Sequence, residues 1–229
     1  MATEAARLKE EKLFQGKTKT LLDTNRPSHG RTEVTRGTLT GRNTNVDSGR
    51  TAIKLSVFCG VSVDGFLARR DDTFDFLLAG EQVPHGFEEF LASVDVVVMG
   101  RRTFEVVLKL GYLATYGKKP IMVLSNRPLD FSSVKGGVLE QISGEPTEIV
   151  KQLKSRGFKH AYIDGGITIQ RFLAAGLINR LVITRVPVLI GEGVSLFGPL
   201  PRDISLHHVA TRTYKDGLVQ SEYEVGSKG

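Results

Sequence analysis

Two segments join an apolar run to a turn that opens a helix: Val96-Val97-Val98-Met99-Gly100-Arg101-Arg102-Thr103, and Ala161-Tyr162-Ile163-Asp164-Gly165-Gly166-Ile167-Thr168. The first main-chain N–H groups of a helix have no partner inside it, and the helix dipole adds partial positive charge, so such turns bind anions. Gly165 and Gly166 lack a β-carbon and would let a phosphate approach the main chain closely. Arg101, Arg102 and Thr103 supply charge and donors at the other turn. A third run, Pro120 to Ser125, ends in the donor-rich Ser125-Asn126-Arg127. Any one of these has a plain explanation, since Gly-Gly is common turn chemistry and an arginine at a helix start is often only solvated. Three together, at strand ends of one parallel sheet, would share the edge where open α/β sheets bind ligands, which points to a phosphorylated ligand.

Other chemistries lack their residues. No G-x-G-x-x-G follows a strand, and neither G-x-x-x-x-G-K-[ST] nor G-x-S-x-G occurs, so a Rossmann site, a P-loop and a nucleophile elbow have no support. Among the five histidines, His207 and His208 are neighbours on a predicted strand and point to opposite faces. His29, His85 and His160 are scattered, so no metal site is expected. The single cysteine, Cys59, permits no intrachain disulfide and no thiolate zinc cluster, and suits a reducing, cytoplasmic setting.

The elements that must position the turns follow from pattern. Apolar, β-branched runs at Ile53–Cys59, Val94–Met99, Pro120–Ser125, His160–Ile163 and Leu181–Ile190 predict strands, and helical spacing lies between them. That order implies an α/β fold with a mainly parallel sheet and helices on its faces. One helix is predicted from Pro146 to Arg156, with Pro146 in its first turn, Gly157 just past its end, and Ile149, Val150 and Leu153 on its buried face. Others are predicted over Pro84–Ser93, Arg101–Leu110 and Ile167–Ala175. Lys215-Asp216-Gly217 between Leu206–Tyr214 and Leu218–Val225 predicts an antiparallel hairpin at the C-terminus.

Composition bounds the partners. The 229 residues carry a net charge of +6, but residues 1–50 hold 10 Lys and Arg against 6 Asp and Glu, leaving 21 against 19 in the remainder. From Thr18 to Arg50 scarcely an apolar pair occurs, so residues 1–50 read as a disordered basic extension and 51–229 as the folded domain. Glu4, Glu10 and Glu11 argue against an organellar address. The nearly neutral body argues against a nucleic-acid surface. No run is long and apolar enough to span a bilayer.

Taken together, Val61-Ser62-Val63-Asp64-Gly65-Phe66-Leu67-Ala68, Met99-Gly100-Arg101-Arg102-Thr103-Phe104-Glu105, Val123-Leu124-Ser125-Asn126, Asp164-Gly165-Gly166 and Pro187-Val188-Leu189-Ile190-Gly191-Glu192-Gly193 resemble the dihydrofolate-reductase-like fold. The resemblance is strongest to the C-terminal reductase domain of the bifunctional riboflavin-biosynthesis deaminase-reductases. It covers about residues 53 to 225. It implies an NADPH-dependent reductase, commonly a homodimer. Gly100, Arg101, Arg102 and Thr103 would hold the pyrophosphate and adenosine side, Ser125, Asn126 and Arg127 the 2′-phosphate, and Gly165, Gly166, Ile167 and Thr168 the pyrophosphate from the opposite side. Gly60, Leu67 and Ala68 would border the nicotinamide and the substrate.

For the proton donor, Asp64 is the first choice and Glu192 the second, although both sit beside glycines where a turn alone would explain them. Glu88 and Glu89 are substrate-facing choices, set against the ordinary reading of exposed helix acids. The family's zinc deaminase half cannot be drawn from one cysteine. The expected substrate is a ribosylaminopyrimidine or a pterin-like ring. The competing expectation is a nucleotide-binding or regulatory module that keeps the fold without turnover.

Overall fold

The computed structural model describes residues 52–78 and 85–226. The extension expected over residues 1–50 lies outside them.

Strand β1 (Lys54–Ser62) lies at the centre of an eight-stranded sheet. Around it come β3 (Val96–Gly100), β4 (Pro120–Leu124), β5 (Val138–Ile142), β6 (His160–Asp164), β7 (Arg180–Val186), β9 (Leu206–Thr213) and β10 (Val219–Val225), in the order β5-β4-β3-β6-β1-β7-β10-β9. All pairings from β5 to β7 are parallel, while β10 is antiparallel to both β7 and β9. The short strands β2 (Phe66–Ala68) and β8 (Val194–Ser195) form a separate two-stranded antiparallel sheet.

Side-chain alternation divides the core. Leu55, Val57, Cys59 and Val61 join Val96 and Val98 on one face, against Ile149 and Leu153 of α3 (Pro146–Ser155) and Ile169, Phe172 and Leu173 of α4 (Gly166–Ala174). Val97, Met99, Ile121 and Val123 meet Phe90 of α1 (Phe87–Ser93) and Phe104 and Val107 of α2 (Arg101–Lys109) on the other. A period of two on strands thus meets helices on both faces.

End signals act as their chemistry requires. Pro146 begins α3, the Glu145 N–H donates to Glu148 Oε2 (2.9 Å), and Gly157 takes φ +85° just past the end. In the hairpin, Gly217 has φ +86° and donates to the Tyr214 carbonyl (3.0 Å). Elements also differ from expectation. β7 stops at Val186, because Pro187 has no N–H to extend the ladder. α1 starts at Phe87, after Gly86 in the left-handed region, and the earlier part of the expected helix, at Pro84, lies outside the described residues. β5 was not expected at all.

Candidate active site

The parallel strands β3, β6, β1 and β7 end on one rim, and a cleft of about 850 Å³ opens there. That volume suits a cofactor with a small substrate. The register sets Gly100 beside Leu124 and Met99 beside Asp164, so the turns after β3, β4 and β6 are neighbours as the sequence required.

The turns after β3 and β6 interlock. A β-carbon at Gly100 would meet Thr168 Oγ1 at 2.9 Å, and one at Gly165 would overlap Thr103 Oγ1. Each glycine is therefore needed by the threonine of the opposite turn. Gly165 also has φ +90°, outside the range of L side chains. Neither α2 nor α4 has a side-chain cap on its first N–H groups, which leaves two helix starts facing the cleft in the manner an anion needs.

The cations around these turns are held by exposed carboxylates: Arg101 by Glu105 (2.6 Å), Arg102 by Asp72 (2.7 Å) and Arg171 by Glu145 (3.1 Å). Such surface pairs contribute about 0–1 kcal/mol, so a phosphate dianion can displace them. One strand further out, the Ser125 hydroxyl donates to the Arg127 carbonyl (2.7 Å) and accepts from the Arg127 N–H (3.1 Å). Gln141 Nε2 donates to the carbonyls of Ser125 and Arg127 (both 2.9 Å) and fixes the turn. Arg127 has no carboxylate partner among the described residues. Two uncapped helix starts and a ring of exchangeable guanidiniums fit a dinucleotide carrying an extra phosphate.

On the floor of the cleft is a group to which the motif reading gave no role. Asp164 ends β6; its Oδ2 accepts from the Tyr116 hydroxyl (2.8 Å) and its Oδ1 from the Gly165 N–H (2.8 Å). Burial pushes its carboxyl pKa up despite these bonds. The Tyr162 hydroxyl donates to the Phe58 carbonyl (2.8 Å), and burial raises both tyrosines well above their usual range. Cys59 also lines the cleft, with a thiol made inert by burial. The available signal was an acid as the last residue of an otherwise apolar strand.

The structure brings Gly60, Leu67, Ala68, Gly100, Arg101, Arg102, Thr103, Gly165, Gly166, Ile167 and Thr168 together in the cleft lining. Ser125, Asn126 and Arg127 sit on the same rim, beyond the lining. The four acids do not line the cleft. Asp64 accepts from the N–H groups of Gly191 (2.7 Å) and Ile190 (3.2 Å). The Ser62 hydroxyl, with those two N–H groups, holds its carboxyl below the ordinary range. It therefore anchors the 187–193 loop. Glu192 pairs with Arg70 at 2.7 Å on the surface. Glu88 and Glu89 are exposed on α1, and Glu89 borders a separate cavity of about 500 Å³. His207 and His208 lie exposed on β9, and no three potential metal ligands cluster among the described residues.

A sheet of this order, with its ligand cleft where parallel strands end between two helix starts, defines a dihydrofolate-reductase-like α/β domain. The sequence profile of the RibD C-terminal domain matches residues 53–220. The chain therefore belongs to the RibD C-terminal domain family. It is 35% identical to a Shewanella sp. PV-4 protein described as a candidate riboflavin biosynthesis protein, whose crystal structure superposes with a TM-score of 0.71 over 76% of this chain and 100% of that one. It is 28% identical to the uncharacterized Bacillus subtilis protein YwjB over 70% of this chain and 92% of that protein. Dihydrofolate reductase from Enterococcus faecalis, solved with NADP(H), shares the fold at 15% identity with a TM-score of 0.53, over 76% of this chain and 97% of that one.

Proposed function

We propose that this protein is an NADPH-dependent reductase that passes a hydride to a small heterocyclic substrate of pyrimidine or pterin type. The observation that supports it best is the division of one cleft. Uncapped helix starts and guanidiniums line the end formed by β3 and β6, and an apolar chamber lies at the end formed by β1 and β7. NADPH would supply the hydride. Gly100 to Thr103 and Gly165 to Thr168 would hold its pyrophosphate, with Ser125, Asn126 and Arg127 at the 2′-phosphate. Arginine suits that dianion because its planar fork binds phosphate oxygens two at a time.

Gly60, Leu67 and Ala68 would line the passage between cofactor and substrate. Asp64 and Glu192 would act by holding the loop that borders it. Asp164 would deliver the proton: burial raises its pKa and so favours the protonated form that can donate. With Cys59 unpaired and no described helix able to cross a membrane, a cytoplasmic location suits this activity.

Anaerobic incubation with NADPH and a panel of pyrimidines, pterins and quinones is expected to consume NADPH with at least one acceptor, read as loss of its absorbance. Binding of NADPH with no oxidation across the panel would instead favour a regulatory module without turnover.

We also propose a homodimer through β9. This strand is the last of the sheet, and its Leu206 and Val209 are 43% and 47% exposed. An apolar edge of this kind is protected when a second copy covers it. Sedimentation is expected to give a dimer that Val209→Lys converts to a monomer; a monomeric parent protein would contradict the proposal.

A further inference from the structure

Cations in this cleft are strictly segregated. The guanidiniums that line it, Arg101, Arg102 and Arg171, all belong to α2 and α4, the helices that follow β3 and β6. Three strand spacings separate β3 from β7, about 14 Å at the usual ~4.8 Å between strands. At the far end the walls are Phe58, Phe87, Val186 and Leu218, with Thr184, His85 and Asp216 as polar groups. No lysine or arginine lines that end among the described residues.

The nearest cations are directed elsewhere. Arg185 lies between Thr184 and Val186 on β7, so it points to the opposite face of the strand. Arg69 and Arg70 are paired with Asp75 and Glu192 (both 2.7 Å). Arg180 and Arg212 converge on Glu222 in the neighbouring cavity.

Of the polar groups at this end, Thr184 has a donor to offer a neutral ligand, while His85 is closed off by its neighbours. His85 Nε2 is buried without a hydrogen bond; Asp216 Oδ2 lies 3.2 Å away but off the bonding direction. His85 itself is held at φ +36°, its ring edge-on to Tyr214 at 4.3 Å. Thr184 Oγ1 accepts from Gln220 Nε2 (3.0 Å), which leaves the hydroxyl hydrogen for an acceptor in the cleft. A ligand acceptor that takes the Thr184 hydrogen gains specificity over an analogue that cannot.

We infer that the reducible substrate is an uncharged, unphosphorylated planar heterocycle, read at its polar edge by Thr184. A phosphoribosyl compound would place its dianion beside Asp216 in a chamber that no lysine or arginine lines among the described residues. This inference rests on the reductase reading, because it assigns the cationic end to the cofactor.

The test is calorimetric titration of the full chain, saturated with NADP+, using a matched pair of aminopyrimidines that differ only in a terminal phosphate on the sugar chain. The neutral compound is expected to bind at least tenfold tighter than the phosphorylated one. Thr184→Val should weaken it by about tenfold and leave the NADP+ affinity unchanged. Leu218→Arg, which adds a cation at the chamber wall, should narrow or invert the preference. Tighter or equal binding of the phosphorylated compound, or no binding of the neutral one while NADP+ binds, would overturn the inference alone. Failure of NADP+ itself to bind would remove the reductase reading and this inference with it.

Discussion

Replacing Asp164 by asparagine is expected to lower NADPH turnover by about 10²–10⁴-fold, the usual loss when a general acid is removed, with little change in NADPH affinity. The Tyr116 hydroxyl and the Gly165 N–H reach different carboxyl oxygens at 2.8 Å; the amide keeps one oxygen for the Gly165 N–H and places its NH2 where the Tyr116 hydroxyl can turn to accept, so the floor of the cleft should hold its shape. What disappears is the transferable proton. The pH dependence has a definite sign. Burial raises this pKa above the ordinary 3.8, so the protonated, active form dominates at low pH and activity falls as pH climbs through the raised value. Single-turnover kinetics across pH check this. The substitution should remove both the rate and that falling limb, whereas a purely structural role for Asp164 would leave the profile's shape unchanged in the residual activity.

Gly165→Ala is expected to cost about 2–5 kcal/mol of stability, joining a left-handed-region penalty of about 1–2 kcal/mol to an overpacking penalty of about 1–3 kcal/mol. The new methyl group meets Thr103 Oγ1 while the backbone stands at φ +90°. The two causes separate in a double variant. Adding Thr103→Ala removes the hydroxyl overlap but not the backbone strain, so denaturant unfolding should recover part of the loss. Full recovery would mean that strain contributes nothing; no loss in the single variant would mean that the two turns do not interlock.

Much of this architecture could be read from the chain. β1, β3, β4 and β6 are short apolar runs closed by glycine or polar residues, and their burial on both faces is what a central parallel strand requires. Pro146, Gly157 and Asp216-Gly217 marked a helix and a hairpin because each residue restricts the backbone locally. β5 escaped because it is an edge strand whose Glu140 and Gln141 break its apolar pattern. β2 and β8 escaped because three and two residues carry no period.

The site was legible to a different degree. Donor-rich turns announce themselves wherever they occur, so the rim proposed to hold the cofactor could be assembled from Arg101, Arg102, Gly165 and Arg127. Proton donors depend on burial and on partners distant in sequence. Asp164 owes its character to burial beneath residues distant in sequence, with Tyr116, 48 residues away, bonded to it in opposition, whereas Asp64, the more conspicuous acid in its Asp-Gly turn, is engaged 127 residues away with Gly191.

The central claim is that the ends of β3, β4 and β6 grip a dinucleotide by its extra phosphate. Calorimetric titration of the full chain with NADPH and with NADH, at low and at high salt, tests it most directly. NADPH is expected to bind at least tenfold tighter than NADH at low ionic strength, a margin that shrinks as salt screens the guanidiniums and closes in Arg127→Ala. Equal affinity for the two nucleotides, or no measurable binding of either, would contradict it.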